Sequence, residues 1–259
     1  MHLTENAVAA LLLTVAAGLF TAVGSTIAFF IRKPRFSYLA VALGFSAGVM
    51  IYVSFMELIP ICLRQVSEAA TVAAFFAGIF IIGTIDFFIP ESENPDHHGE
   101  MSLTAEDHNN PKLMRAGMVT ALAVAIHNFP EGLATFGAAL SDLKLGIYIA
   151  IAIAIHNIPE GIAVSMPIFY ATKNKNKAFF YSAISGLSEP VGAMIGFLAI
   201  LPFLSEKLIA LQLSAIAGIM VYISVDELLP LAHNYGKSHQ VIAGIVLGML
   251  VMAASLLLL

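Results

Sequence analysis

Eight apolar runs, separated by short clusters of charge and turn residues, account for most of the chain. They fall at 7–31, 37–62, 69–90, 113–138, 144–170, 178–204, 207–232 and 239–259. Each offers the ~20 apolar residues that a helix needs to span the hydrocarbon core of a bilayer. The breaks read as turns: Arg32-Lys33-Pro34-Arg35, Ser141-Asp142, Lys173-Asn174-Lys175-Asn176-Lys177 and His233-Asn234-Tyr235-Gly236-Lys237. The pattern predicts an all-α membrane protein of eight transmembrane helices. The residues before the first run lack the basic stretch of a cleaved signal peptide, so that run is expected to be a retained helix.

Two repeats organise these runs. Gly48 to Pro60 (GVMIYVSFMELIP) matches Gly218 to Pro230 (GIMVYISVDELLP), and Met56 against Asp226 is the one change of chemical type. Gly18-Leu19 and Gly24 echo Gly186-Leu187 and Gly192, and Ala77-Gly78-Ile79 echoes Ala243-Gly244-Ile245. Helices 1–3 therefore read as repeated in helices 6–8. Between them, His127-Asn128-Phe129-Pro130-Glu131-Gly132 recurs 29 residues later as His156-Asn157-Ile158-Pro159-Glu160-Gly161. By parity both repeats run in opposite directions through the bilayer, giving a 3+2+3 arrangement of inverted repeats. Secondary transporters are commonly built this way, with their site near the midplane.

Composition sharpens the picture. Only 11% of residues are charged, against about 25% in soluble domains. With the N-terminus outside, nine of the twelve basic residues fall in inner loops, as the positive-inside rule requires. Both termini are then extracytoplasmic. Six acids fall within 91–111, together with His97, His98 and His108. The composition of that cytoplasmic segment, taken as 91–112 between helices 3 and 4, predicts a solvated loop with weak metal-binding capacity. The single cysteine, Cys62, excludes an intrachain disulfide.

The chemistry lies in the doubled phrase. On a helix, i and i+4 share a face, so His127 lies with Glu131 and His156 with Glu160, while Asn128 and Asn157 border those faces. Pro130 and Pro159 free the carbonyls of Ile126 and Ile155 and predict broken helices beside a cavity. Glu189-Pro190 lies at similar depth in run 6. Ionised carboxylates cost roughly 2.5–3.5 kcal/mol each at the bilayer centre, so a cation, water or protonation must offset Glu131, Glu160 and Glu189. Imidazole with carboxylate suits Zn²⁺ and neighbours such as Fe²⁺, Mn²⁺ or Co²⁺. A second tier comprises Met50, near the centre of run 2, and Glu57, Glu227 and Asp86. The two glutamates lie about 10 Å from the centres of their runs, as way stations on opposite sides of the membrane.

These phrases, with Glu189-Pro190, resemble the ZIP (Zrt/Irt-like) divalent-metal transporters. Ser54 to Pro60 and the compact size are similar to their bacterial zinc-uptake branch, the ZupT type. The resemblance implies uptake toward the cytoplasm, a binuclear centre and a dimer. It places His127, Glu131, His156 and Glu160 in one site with Met50 nearby. Asn128, Asn157 and Glu189 fall in a second site, with Glu131 and Glu160 bridging. It also implies zinc as the main substrate, with iron, manganese, cobalt or cadmium in related members, and an elevator-like motion. His156 departs from members with a non-histidine residue there. The expected function is alternating-access import of divalent metal, most of all Zn²⁺, across the inner membrane, without an enzymatic reaction. The rivals are an exporter of the same build and a membrane-embedded metallohydrolase. Deprotonated ligands bind metal best, so uptake is expected to weaken as pH falls unless a proton gradient drives it.

Overall fold

The computed structural model describes residues 6–30, 36–87, 111–200 and 205–258. His97, His98 and the rest of the 91–110 segment lie outside the described residues. Within them the chain forms eight long helices and no strand. They are α1 (Ala7–Ala28), α3 (Glu68–Phe87), α4 (Pro111–Ser141), α5 (Leu143–Thr172), α6 (Lys175–Ile200) and α8 (Ser238–Leu258), together with α2 and α7. Helix α2 runs Phe36–Val53, passes through a π-helical turn Ser54–Leu58 and continues as Ile59–Gln65. Helix α7 repeats this as Glu206–Ile223, Ser224–Leu228 and Leu229–Tyr235. Seven of the eight are long and apolar enough to cross a membrane; α4 falls outside that set and carries His127, Asn128 and Glu131.

Three sequence expectations change. Helix α4 begins at Pro111, so the loop assigned to 91–112 ends earlier; proline suits a helix's first turn because its missing N–H would have no intrahelical partner there. Helices α4 and α5 also stay continuous through Pro130 and Pro159. The departures from α-geometry lie instead at the two π-turns. Each is bracketed by Ser and Pro in the same spacing, Ser54 with Pro60 and Ser224 with Pro230. The Ile59 and Leu229 amides reach back five residues, to the carbonyls of Ser54 and Ser224. The serine hydroxyls donate to the carbonyls of Met50 at 2.8 Å and Met220 at 2.7 Å. Such serine back-bonding loosens a helix, and the proline withholds the amide that would restore regular spacing.

The third change is register. Both π-turns and the following breaks at Ser67 and Lys237 keep a constant offset of 170 residues. Gly78 is thereby the counterpart of Gly248 rather than of Gly244. Packing agrees: a Cβ on Gly78 would meet the Ala215 carbonyl, and one on Gly248 the carbonyl of Phe45, which is the counterpart of Ala215. The short echo around Gly244 is a coincidence of small residues.

Packing sorts the helices into two groups. Helices α1, α4, α5 and α6 pack on one another, while α2 lies against α8 and α3 against α7. Glycine contacts give the directions. Gly44 meets Val241 and Gly48 meets Ile245, so α2 and α8 are parallel; Gly18 meets Gly186 while Ser182 bonds to Thr21, so α1 and α6 are antiparallel. Both results match a chain that reverses at every connection. A side chain on Gly18 would place its Cβ 2.5 Å from the Gly186 carbonyl oxygen, so this crossing needs glycine. In α5, 67% of the apolar window is buried, against 17% in α3 and 22% in α8. The helix carrying the second His-Asn-x-Pro-Glu-Gly phrase is thus shielded, and α3 and α8 face outward.

Candidate metal site

Both copies of the phrase lie in the shielded centre, where α4 packs on α5. His127, Asn128, Glu131, His156, Asn157, Glu160 and Glu189 are each at most 1% exposed. The histidines pair across the helices rather than along them. His156 Nε2 lies 3.1 Å from Glu131 Oε1, and His127 Nε2 lies 3.3 Å from Glu160 Oε2. Exchanging α4 with α5 maps one pair onto the other. Ligand atoms of Glu131, His156 and Glu160 lie within 4.8 Å of one another, close enough to share one ion.

The asparagines obey the same symmetry. Asn157 donates to the Ala17 carbonyl at 2.9 Å and Asn128 to the Ser185 carbonyl at 3.3 Å. Ala17 and Ser185 are counterparts in α1 and α6 at the 168-residue offset that also relates Gly18 to Gly186. Asn157 also donates to Glu189 Oε1. Each amide thereby ties its helix to α1 or α6 and leaves Oδ1 free. Asn128 Oδ1, Glu131 Oε2, Asn157 Oδ1, Glu160 Oε2 and Glu189 Oε2 are all buried without a hydrogen-bond partner. Buried acceptors are ordinarily satisfied, and these five oxygens, of which Glu160 Oε2 faces His127 Nε2 at 3.3 Å, make with the two imidazoles a donor set for a borderline divalent cation.

Sequence reasoning missed one contributor. Ser46 Oγ donates to Glu160 Oε1 at 2.8 Å, from α2 into α5. It lies four residues before Met50 and so on the same helix face, a buried hydroxyl in an apolar run, which was the available signal. Met50 and Met220 are fully buried in the core.

The second tier separates. Glu227 does not stand off as a way station. Its Oε2 comes within 3.6 Å of His127 Nδ1, and it is 12% exposed. The π-turn that carries it resets the facing of α7 just before the site. Asp86 sits elsewhere, accepting a hydrogen bond from the Tyr222 hydroxyl at 3.2 Å. Glu57 is half-buried in the other π-turn, and no ion pair or hydrogen bond among the described residues joins it to His156 or Glu131. A narrow void, with room for about one water, reaches His127 and Glu160 between Thr120, Val124, Glu227 and Leu228. It lies on the side of the helix ends that carry Lys173, Lys175, Lys177 and Lys237, here termed the basic face.

Comparison with known proteins gives a consistent picture. The family model described as ZIP Zinc transporter matches residues 88–256. A "Zinc transporter ZupT" of Clostridium perfringens is 52% identical over 276 residues, covering 98% of this chain and 97% of its own. The proteins of the same name from Streptococcus mutans and Nitratidesulfovibrio vulgaris are 51% and 53% identical, covering 99% and 98% of this chain and the same shares of their own.

Proposed function

Because the chain belongs to the ZIP zinc transporter family, we propose that it carries Zn²⁺, and with it related divalent transition metals, across the membrane into the cytoplasm. It is an integral, multi-pass membrane protein. Its basic face is assigned to the cytoplasm by the positive-inside rule, which leaves both termini outside the inner membrane. His127, Glu131, His156 and Glu160 hold the ion, with Asn128, Asn157 and Glu189 as the adjoining donor set and Met50 packed on the same helix face as Ser46. The one observation that carries this reading is the pair of crossed His–Glu contacts in the centre of a membrane bundle, ringed by orphaned acceptors.

The ion neutralises carboxylates that the apolar surroundings disfavour, and loss of its water is offset by nitrogen and oxygen donors already in place. Movement of the group α1, α4, α5 and α6 against α2, α3, α7 and α8 exposes the site first to one face and then to the other. Reconstituted vesicles holding a zinc-sensitive dye test the proposal. Wild-type protein is expected to admit zinc from the face opposite the basic one, and His127→Ala and Glu160→Ala to lose that flux. Uptake near wild-type level in both variants would sink the assignment.

A further inference from the structure

The contacts of His127 have counterparts that identify an unfinished half of the site. Exchanging α4 with α5 takes His127 to His156 and Glu160 to Glu131; exchanging α2 with α7 takes Glu227 to Glu57. One of the two His127 contacts appears on both sides. His127 Nε2 meets Glu160 and His156 Nε2 meets Glu131. The other appears once: neither Nδ1 has a hydrogen-bond partner, but His127 Nδ1 faces Glu227 at an ion-pair distance of 3.6 Å, and no such carboxylate approach to His156 Nδ1 is found among the described residues. Its counterpart carboxylate, Glu57, sits half-buried in a π-turn of the same length and sequence frame.

The surroundings of the two carboxylates differ in side-chain size. On the basic face, Thr120, Val124 and Leu228 border the void that admits Glu227 to the site. Their counterparts Ile149, Ile153 and Leu58 are buried as they are, but isoleucine replaces threonine and valine at the first two positions and leaves less room beside the second site. Glu57 stands outside that packing.

We propose that Glu57 is the opposite-face counterpart of Glu227: when that half opens, its carboxylate moves to Nδ1 of His156 and gives an arriving divalent cation a His156–Glu131–Glu57 half-site. The inference rests on the transport reading. The cation would then pass from this half-site to the one formed by His127, Glu160 and Glu227, each imidazole held by one fixed and one movable carboxylate.

The test uses the full chain in vesicles, in a Cys62→Ser background. Cysteine pairs replace Glu57 with His156, and Glu227 with His127, and mercuric ion bridges any two thiols that come together. The Glu227/His127 pair is expected to bridge at once. The Glu57/His156 pair is expected to bridge more slowly, and faster when the opposite face is held open by a bulky substitution at Val124. A Glu57/His156 pair that never bridges while the other does overturns the proposal. In parallel, Glu57→Gln is expected to raise the zinc concentration for half-maximal uptake about tenfold with the maximal rate within about twofold. An unchanged half-saturation also overturns it. Should wild-type protein move no zinc, the transport reading fails, while the bridging result still decides whether the two side chains meet.

Discussion

The two π-turns share backbone, spacing and flanking residues, yet Glu227 reaches the buried histidine of α4, while no hydrogen bond or ion pair among the described residues joins Glu57 to α5. Next to Glu227 lies a narrow void that leads to the site, lined by Thr120 and Val124; the matching positions near Glu57 carry the larger Ile149 and Ile153. The difference does not come from the helices, whose offsets and glycine contacts repeat on both sides. It comes from how the two four-helix groups are set against each other. When two helix groups that are each twofold-symmetric within themselves tilt against each other, one passage narrows as the other widens, and the same polar residues then find partners on one side only. On the transport reading, the narrow void marks the basic face as the less tightly packed side of a buried site.

The strongest way to break the comparison is to remove the contacts that do repeat. Glu131→Ala and Glu160→Ala each leave a buried imidazole without its carboxylate. Breaking such a buried pair costs about 3–5 kcal/mol, so zinc flux into vesicles is expected to fall at least about 100-fold in both. A large loss in one and a small loss in the other would show that the two halves of the site are not equivalent.

Packing is the next test. A side chain on Gly48 would collide with the Ile245 carbonyl, and one on Gly218 with the carbonyl of Phe75. Overpacking of this kind typically costs about 1–3 kcal/mol. Gly48→Val and Gly218→Val are expected to lower the thermal midpoint of purified protein by similar amounts. Unequal shifts would mean that the backbone symmetry is less complete than the glycine contacts indicate.

These outcomes bear on what the sequence could convey. The eight runs, the doubled phrase and the place of Glu189 were all legible, because each depends on local period or on a repeat within the chain. The crossed pairing of His127 with Glu160 was not: an i, i+4 relation fixes a face but not which neighbour meets it. The π-turns had a signature in Ser54 to Pro60 and its repeat, yet the extra residue per turn follows from competition among backbone acceptors, which apolar periodicity does not record. Prolines 130 and 159 misled in the other direction, because packing around α4 and α5 holds both helices continuous. Ser46 was hidden for a third reason. A serine in an apolar run becomes a partner only through the helix it faces.

A finer probe of the asymmetry is Gln212, whose amide bridges from α7 to the Leu133 carbonyl of α4 at 3.1 Å. Its counterpart in α2 is Ala42, so this clasp has no equivalent on the basic-face side. One such hydrogen bond contributes about 1 kcal/mol. Gln212→Ala is therefore expected to speed thiol labelling of Ile153→Cys from the face opposite the basic one by about fivefold, in a Cys62→Ser background. No change in labelling would mean that the clasp does not hold the passage shut.

The smallest expected effect isolates a fixed contact that the two half-sites do not share. Glu160 accepts a hydrogen bond from Ser46, but the counterpart of Ser46 is Ile216, and Glu131 Oε2 is left without a partner. Ser46→Ala should therefore weaken zinc binding only slightly, by about 1 kcal/mol or roughly fivefold, since the His127 contact remains. Ile216→Ser places a hydroxyl where Glu131 can accept it, and is expected to recover part of that loss in the double variant by steadying the other carboxylate. Isothermal titration with zinc on detergent-solubilised protein measures both. If Ile216→Ser weakens binding as much as Ser46→Ala does, the hydroxyl on α2 serves helix packing rather than Glu160.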